Sequence, residues 1–242
     1  MKHWIAALAL AAALVPRTAA AGTVQDSIAQ RVLACTGCHG DQGRATSEGY
    51  VPRLAGKPAA YLLNQLHNFR DGRREYRLMT GLLEPLSGAF LAEIAAHFAA
   101  LELPYPPPRP ATAPADVMAR GRELALRGDA ARRLPACGAC HGPALAGTLP
   151  AVPGLLGLPR DYLNAQLGAW RTGSRRAQAP DCMAEVARRL GPDDVAAVAH
   201  WLAAQPVPQG ASPAPEAPAI WPLRCGGVPQ RQVAPDRNGT PR

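Results

Sequence analysis

Apolar residues recur at helical spacing in both halves of the chain, and no stretch shows the sustained alternation of apolar and polar residues that is typical of a half-buried strand. The pattern therefore predicts an all-α fold. Each half is expected to contain three helices, with an irregular stretch between the second and the third. The predicted helices span residues 24–34, 58–69, 87–101, 116–127, 159–170 and 192–204. Ser87 is a suitable N-cap for the third of these helices.

The two halves of the chain are copies of one unit. Residues 52–74 match residues 153–175 at an offset of 101 positions, with the same Pro, Leu, Gly, Tyr, Gln and Arg residues in register. Such repetition indicates two related domains, which we place at residues 22–104 (domain 1) and 115–205 (domain 2). Residues 105–114 are rich in proline and are expected to form a stiff linker between the domains.

The two ends of the chain lie outside the repeated unit. Residues 1–21 combine a positive start, an apolar run and an Ala-Ala-Ala site, which is the layout of a secretory signal peptide. The apolar run is too short to span a bilayer, so we expect cleavage after residue 21, with an uncleaved interfacial anchor as the alternative. The proline-rich C-terminal tail, residues 206–242, lacks hydrophobic periodicity, and most of it is expected to have no fixed structure.

Composition and charge narrow the functional classes. Aromatic residues make up only 5% of the chain, so the hydrophobic cores are thin, and a covalently bound group would stabilise such small domains. The net charge is +8, but the basic residues form no dense run. We therefore expect no nucleic acid among the partners of the protein.

Two pentapeptides carry the predicted chemistry. Cys35-Thr36-Gly37-Cys38-His39 and Cys137-Gly138-Ala139-Cys140-His141 both follow the Cys-x-x-Cys-His pattern of covalent haem c attachment. One helical turn brings both thiols of a motif to one edge of a haem, where they form thioethers, and the histidine supplies an axial nitrogen to the iron. The sequence therefore predicts two covalently bound haem c groups. A zinc module built on the same cysteines would leave the adjacent histidines unexplained.

The repeat also selects the second axial ligand of each iron. Met79 aligns with Met183 at an offset of 104 positions, whereas Met118 has no counterpart in domain 1. The remaining candidates, His67, His97 and His200, are not duplicated either. We therefore expect Met79 and Met183 to be the axial thioether ligands.

Ligation by His and Met at both irons favours an electron carrier over an enzyme. A neutral thioether favours ferrous iron and raises the reduction potential, and two filled axial positions exclude a substrate. A dihaem peroxidase, which needs an iron that opens to its substrate, is therefore disfavoured. Export by a signal peptide agrees with this interpretation, because haem c is attached outside the bacterial cytoplasm.

The two motifs, the repeated P-x-L-x-G-x-P-x-x-Y-L segments and Leu78-Met79-Thr80-Gly81 together resemble the dihaem cytochrome c4 family over residues 24–205. The resemblance implies two tandem class I cytochrome c domains, each wrapped around one covalent haem c, with the haems close to the domain interface. It also implies a periplasmic protein, soluble or peripherally attached to the membrane, that carries electrons from a quinol–cytochrome c reductase to a terminal haem–copper oxidase. The alternative is an electron-transfer subunit of a periplasmic dehydrogenase complex.

The same resemblance implies a role for two prolines. The carbonyls of Pro52 and Pro153 are expected to accept hydrogen bonds from the Nδ1–H groups of His39 and His141, which would orient each imidazole. Beyond the resemblance, four arginines related by the repeat are candidates either to pair with haem propionates or to lie at the surface: Arg70, Arg74, Arg171 and Arg175.

Domain 2 departs from the family pattern at its axial methionine. Met183 follows Cys182 and lacks the Thr-Gly that follows Met79, so the two haem sites are expected to differ in potential. Cys182 and Cys225 are the two cysteines outside the haem motifs. In an oxidising compartment we expect them to form a disulfide that ties the tail to domain 2, with free thiols or an intermolecular bridge as the alternatives.

Overall fold

A computed structural model of the chain describes residues 26–46, 49–108, 110–215 and 218–230. The predicted signal peptide, residues 1–21, and the end of the tail, residues 231–242, lie outside the described residues. The described residues form ten α-helices, five in each domain. Those of domain 1 are α1 (Ile28–Arg31), α2 (Leu33–His39), α3 (Ala59–Arg70), α4 (Arg77–Leu83) and α5 (Gly88–Ala99). Those of domain 2 are α6 (Ala115–Leu126), α7 (Gly138–His141), α8 (Arg160–Thr172), α9 (Cys182–Arg189) and α10 (Pro192–Ala203).

The first predicted helix, residues 24–34, is divided into α1 and α2 in the structure. The division falls at Val32, whose backbone leaves the helical conformation at φ −93° and ψ 6°. The Val32 side chain is buried in the core of domain 1. The next helix, α2, begins directly after this residue and continues through the whole first motif to His39. The two thiols of the motif therefore lie on one short helix, as their attachment to one haem edge requires.

The core of domain 1 forms where α3 packs against α5. The Ser87 hydroxyl caps α5, since it accepts a hydrogen bond from the N–H of Phe90 at 3.2 Å. This confirms the predicted start of the helix. The two helices and their neighbours bury one apolar cluster, which includes Leu62, Phe69, Leu83, Leu91, Ile94 and Phe98.

Domain 2 is built on the crossing of α6 and α10. The two backbones approach so closely at Gly121 that a Cβ atom there would lie 2.1 Å from the carbonyl oxygen of Ala197. Only a residue without a side chain fits this contact. The crossing brings Leu124 of α6 into one core cluster with Trp201 and Leu202 of α10, and α8 packs against α10 as well.

Two features of the structure correct the predicted secondary structure. The stretches expected to be irregular contain α4 and α9, which carry Met79 and Met183. At seven and eight residues, these helices are too short to show clear helical periodicity. A short antiparallel hairpin, β1 (Gly147–Thr148) and β2 (Val152–Pro153), also interrupts the otherwise helical fold. The all-α prediction is confirmed for the described residues apart from this hairpin.

The two domains meet through equivalent segments. The N–H of Glu75 donates to the carbonyl of Ser174 at 2.8 Å, and the N–H of Arg176 donates to the carbonyl of Arg73 at 2.6 Å. At the offset of 101 positions, residue 73 matches residue 174 and residue 75 matches residue 176. In each hydrogen bond, a residue of one domain thus donates to the repeat counterpart of the residue that accepts in the other bond. The two bonds are equivalent, and the centre of the interface is symmetric.

The linker is packed against both domains where it begins. The buried Arg53 side chain donates to the carbonyls of Leu103 and Pro104, and its guanidinium lies 4.0 Å from the centre of the Tyr105 ring. On domain 2, a Cβ atom added to Gly157 would lie 2.4 Å from the same ring. Tyr105 thus contacts a charged side chain of one domain and a glycine backbone of the other.

The described part of the tail contacts both domains. The expectation of little fixed structure is therefore wrong for residues 206–215, whereas the tie expected at Cys225 is present. Ala214 exchanges backbone hydrogen bonds with the hairpin of domain 2, to the carbonyl of Gly147 at 2.9 Å and from the N–H of Leu149 at 2.8 Å. Further along, the side-chain amide of Asn64 in domain 1 donates to the carbonyl of Gly227 at 2.7 Å. Neither contact has a signature in hydrophobic periodicity, which is why the sequence pattern did not predict them.

Within the described part of the chain, no single helix has both the length and the apolar composition needed to cross a membrane. The helices α4 and α5 reach that length and composition only when taken together, across a bend of 117°.

Replacement of Gly121 by alanine tests the close crossing of α6 and α10. We expect Gly121→Ala to lower the free energy of unfolding by about 1–3 kcal/mol, because the new methyl group forces the two helices apart. Gly168→Ala is the matched control, since a Cβ atom at this position inside α8 meets nothing within 4 Å. It should leave stability unchanged or raise it by up to about 1 kcal/mol. Urea unfolding followed by circular dichroism measures both, and equal effects of the two substitutions would contradict the crossing.

Asp194 links the start of α10 to two arginines. Its carboxylate accepts hydrogen bonds from Arg132 at 2.6 Å, from Arg120 at 2.9 Å and from the backbone N–H of Gly191 at 3.2 Å. Burial acts to raise the pKa of Asp194, but these hydrogen bonds outweigh it and hold the pKa below its usual value. The ionised carboxylate therefore stabilises the folded state.

We expect Asp194→Asn to lower the free energy of unfolding by about 1–3 kcal/mol at pH 7. A carboxyl group whose folded-state pKa is depressed stabilises the protein above its unfolded-state pKa of about 3.9 and loses that contribution as the pH falls further. The difference between wild type and variant should therefore shrink below about pH 4. Urea unfolding at pH 7 and pH 3 measures it, with the exposed neighbour Asp193→Asn as control. A difference that grows on acidification would contradict this account.

Candidate haem sites

The first motif presents an imidazole that is ready to bind iron. His39 is buried at the end of α2, and its Nδ1–H donates to the carbonyl of Pro52 at 2.8 Å. The lone pair of Nε2 is therefore free for a metal. Burial lowers the pKa of His39, although the hydrogen bond to Pro52 opposes this shift. The side chain is thus held in the neutral form that ligates iron.

The second motif repeats this arrangement. His141 is buried at the end of α7, and its Nδ1–H donates to the carbonyl of Pro153 at 2.7 Å. Burial again lowers the pKa of the imidazole. The contacts implied by the sequence resemblance are thus present in both domains, between the same pairs of repeat-related residues.

The four cysteines of the motifs are free thiols in the structure. Burial raises the pKa of Cys137 and Cys140 to about 11, and it also raises the pKa of Cys35. These thiols are therefore protonated at neutral pH. Thioethers to a haem carry no charge, so they suit this buried environment. The described residues contain no cluster of three or more His, Cys, Asp or Glu side chains that could hold a metal ion.

The predicted ligands of domain 2 surround one cavity of about 450 Å³. Cys137, Cys140, His141 and Met183 all line it. Most of the remaining lining is apolar, and the volume lies in the range of pockets that hold prosthetic groups. Two free thiols, an imidazole with a free Nε2 and a thioether are the donor set of haem c, so the residues present fit this group.

The ligands of domain 1 lie around its apolar core. Cys35 and Met79 both pack against the cluster of buried side chains formed by α3, α5 and their neighbours. The hydroxyl of Thr80, which follows Met79, donates to the carbonyl of Phe69 at 3.2 Å and fastens α4 to the end of α3. The structure therefore holds the methionine-bearing helix in a defined position.

Two of the alternative ligand residues are engaged elsewhere. Met118 packs against the core cluster of domain 2. His67 lines the domain 2 cavity from domain 1, but its Nδ1 accepts a hydrogen bond from Arg70 at 3.0 Å. Because a neutral imidazole with an accepting Nδ1 carries its proton on Nε2, neither nitrogen of His67 has a free lone pair for iron.

A pair of buried arginines forms the centre of the domain interface, and sequence reasoning had not separated them from the other arginines. Arg74 and Arg175 are 8% and 4% exposed. Each donates to the side-chain oxygens of both Gln65 and Gln166, at 2.6–3.0 Å. Arg74 lies 4.4 Å from the centre of the Phe69 ring, and Arg175 lies 3.8 Å from that of its repeat counterpart Trp170. Within the described residues, neither guanidinium forms an ion pair with a carboxylate.

The other two repeat-related arginines have different partners. Arg70 contacts Asp71 and His67, and Arg171 donates to the carbonyls of Ala187 and Leu190. Arg171 therefore caps the C-terminal end of α9. Although Arg171 matches Arg70 in the repeat, the two side chains bind different partners.

Lys57 is a further buried cation near the interface, and sequence reasoning did not select it. It belongs to domain 1, is 7% exposed and lines the domain 2 cavity. Burial lowers its pKa. Its repeat counterpart is Leu158, so this charge occurs in one domain only. Lys57 differs from most other lysine and arginine residues only in that its charge is buried, and burial cannot be read from the sequence.

The two cysteines outside the motifs form a disulfide, Cys182–Cys225, with a Cα–Cα distance of 5.0 Å. Cys182 is the first residue of α9 and directly precedes Met183. The disulfide brings the tail to the domain 2 cavity, where Trp221 and Leu223 join its lining. The tail therefore takes part in the site of domain 2.

Comparison with known proteins gives relatives over most of the chain. A thiosulfate dehydrogenase electron acceptor from Thiomonas intermedia is 41% identical over 174 residues, which are 72% of this chain and 79% of the relative. Cytochrome c4 from Pseudomonas aeruginosa is 33% identical over 204 residues, which are 84% of this chain and 98% of the relative. No protein-family model matches the chain.

Solved structures give the same result. The crystal structure of reduced cytochrome c4 from Pseudomonas stutzeri superposes with a TM-score of 0.63 at 30% identity, over 72% of this chain and 95% of that one. A thiosulfate dehydrogenase structure from Marichromatium purpuratum superposes with a TM-score of 0.63 at 40% identity, over 72% of this chain. This chain spans about a third, 36%, of that larger protein.

Proposed function

The chain belongs to the cytochrome c4 family of dihaem c-type cytochromes, and from this premise we propose that it is a periplasmic carrier that takes single electrons from a dehydrogenase. Like its family, it carries two covalently bound haem c groups and is an electron carrier, not an enzyme. The observation that carries the proposal is the duplicated donor set. Each domain holds the two thiols of its motif on, or directly before, a short helix, together with a buried imidazole fixed by a proline carbonyl.

We assign the residues of each site on this basis. Cys35, Cys38, Cys137 and Cys140 would form the thioethers. His39 and Met79 would ligate the iron in domain 1, and His141 and Met183 would ligate the iron in domain 2. Pro52 and Pro153 orient the two imidazoles through their carbonyls. When bound, each haem supplies a one-electron iron couple. With a histidine nitrogen and a methionine sulfur both bound to it, the iron would be closed to water and substrate.

The buried cations of the interface give further support to the assignment of two haem sites. Arg74, Arg175 and Lys57 lie close to the domain 2 cavity or between the domains, with no ion pair to a carboxylate among the described residues. Burying such charges without a counter-ion is costly. The carboxylates of haem propionates would offset their charge. These cations therefore support a pair of anionic prosthetic groups near the interface.

The choice of electron donor rests on the relatives. Thiosulfate dehydrogenase electron acceptors are 41% identical to this chain in one organism and 37% in another, above the 33% of cytochrome c4 from P. aeruginosa. We therefore propose a periplasmic dehydrogenase of the thiosulfate-oxidising kind as the donor and a terminal oxidase as the acceptor.

The second candidate is a shuttle between a quinol–cytochrome c reductase and a terminal haem–copper oxidase. The length of the match favours this candidate, because the aligned region includes 98% of cytochrome c4 from P. aeruginosa. The haem chemistry is the same in both cases, and only the donor differs.

An optical redox titration of the mature protein, repeated under carbon monoxide, tests the axial ligands. We expect two low-spin one-electron waves that carbon monoxide does not change. Met79→Ala and Met183→Ala should each open one iron, so that one wave falls in potential and becomes sensitive to carbon monoxide.

Met118→Leu is the matched control for these variants, since it replaces a methionine of the core cluster that has no repeat counterpart. It should leave both waves unchanged. Binding of carbon monoxide by the wild-type protein would show that one iron is open and would remove the corresponding methionine from the assignment.

Stopped-flow reduction of the oxidised protein distinguishes the two donors. We expect thiosulfate with a thiosulfate dehydrogenase to reduce the protein at least about tenfold faster than a quinol–cytochrome c reductase with quinol, a difference of about 1.4 kcal/mol in activation free energy. Both donors are compared at equal concentration and ionic strength, because charged docking depends on salt. The opposite order of rates would select the quinol-dependent shuttle.

A further inference from the structure

The end of the described tail is held against domain 2 by contacts of several kinds. The disulfide fixes Cys225 to α9, and the N–H of Gly226 donates to the carbonyl of Pro180 at 2.9 Å. A Cβ atom at Gly226 would lie 2.0 Å from the carbonyl oxygen of Ala179, so the two backbones are in direct contact. The bond from Asn64 to Gly227 ties the same segment to domain 1. These contacts define residues 220–228 as one anchored segment.

This segment supplies part of the lining of the domain 2 cavity. Trp221, Leu223 and Cys225 face the same cavity as the haem motif and Met183. The Nε1–H of Trp221 is buried, and no described residue accepts a hydrogen bond from it. The same is true of the Nε1–H of Trp170, which lines the cavity as well.

An unpartnered indole N–H is informative because it is costly. A buried donor without an acceptor destabilises a protein by about 1–3 kcal/mol, and native structures contain few such groups. The indole nitrogen can only donate, so its partner has to be an acceptor. A haem has strong acceptors only in its two propionate carboxylates. A haem bound in this cavity therefore offers Trp221 the type of partner that it lacks.

We propose that residues 220–228 form a wall of the domain 2 haem site, in which the Trp221 indole N–H hydrogen-bonds a haem carboxylate. Trp221 is a positioning residue in this arrangement, since it touches the prosthetic group and not the iron. The inference rests on the proposed function, because it requires a haem in the cavity.

The repeat shows that the wall serves only one of the two haems. The tail follows domain 2, and the positions in domain 1 that match Cys182 and Trp170 are Leu78 and Phe69. Leu78 is 66% exposed, whereas Cys182 is covered by its disulfide to the tail. Neither the disulfide nor the two indole donors has a counterpart in domain 1. A change in the wall should therefore affect one redox wave and leave the other unchanged.

The direction of the effect follows from charge. A hydrogen bond to a haem carboxylate withdraws negative charge from the neighbourhood of the iron, and a wall that excludes water disfavours the more highly charged ferric state. Both effects raise the reduction potential of the haem in domain 2. Loss of the indole N–H should lower it.

The test uses the full mature holoprotein and the variant Trp221→Phe, which keeps an aromatic ring and loses the donor. Leu126→Ala is the control, because this apolar side chain is 44% exposed and lies outside the anchored segment. Haem content is measured first, followed by an optical redox titration and by hydrogen exchange of residues 220–228. We expect two haems per chain, one wave shifted to lower potential in Trp221→Phe, and no shift in Leu126→Ala.

A double variant, Cys182→Ser with Cys225→Ser, tests the wall without altering Trp221. It should increase hydrogen exchange of residues 220–228 and lower the same single wave. Two unchanged waves in both variants, or equal shifts of both waves, would overturn the inference. The proposed function would still stand in that case, provided that two haems per chain are found. A wild-type haem content other than two would instead refute the proposed function.

Discussion

The burial of two guanidinium groups between the domains is the constraint on which the rest of the structure depends. Arg74 and Arg175 are almost inaccessible, and their described partners are neutral: two glutamine oxygens, a tyrosine hydroxyl and two aromatic rings. Hydrogen bonds to neutral groups offset only part of the cost of removing a charge from water. Burial accordingly lowers the pKa of Arg175, and the charge of Arg74 lowers it further. The pair is formed only when the two domains meet, because each guanidinium binds a glutamine of both domains.

The duplication holds for some contacts and fails for others. Gln65 and Gln166 have equivalent partners across the interface, and each domain has the same histidine–proline hydrogen bond. By contrast, Lys57 has leucine as its repeat counterpart, and Trp170 has phenylalanine. The unmatched residues lie around the domain 2 cavity, so they make the environments of two otherwise similar irons different.

The sequence predicted the parts of the site that depend on local spacing. The haem motifs, the paired methionines and the capping by Ser87 are each readable from a few neighbouring residues or from the repeat offset. The contacts that the sequence did not predict join segments far apart in the chain, such as Arg74 with Gln166 or Asn64 with Gly227. Their residue types are common on protein surfaces, and only the docking of two domains buries them. The hairpin of residues 147–153 and the short helices α4 and α9 were missed because each is too short for a periodic pattern.

The proline-rich tail shows why composition alone misjudged one segment. Low hydrophobicity and many prolines predict a chain that cannot bury enough surface to fold by itself. The tail, however, does not fold by itself. A disulfide restricts its unfolded states, and backbone hydrogen bonds to Gly147 and Pro180 use surface that domain 2 has already ordered. Proline lowers the entropy lost on docking because its backbone is already restricted. A segment that has no hydrophobic core of its own can therefore form part of the wall of the domain 2 cavity.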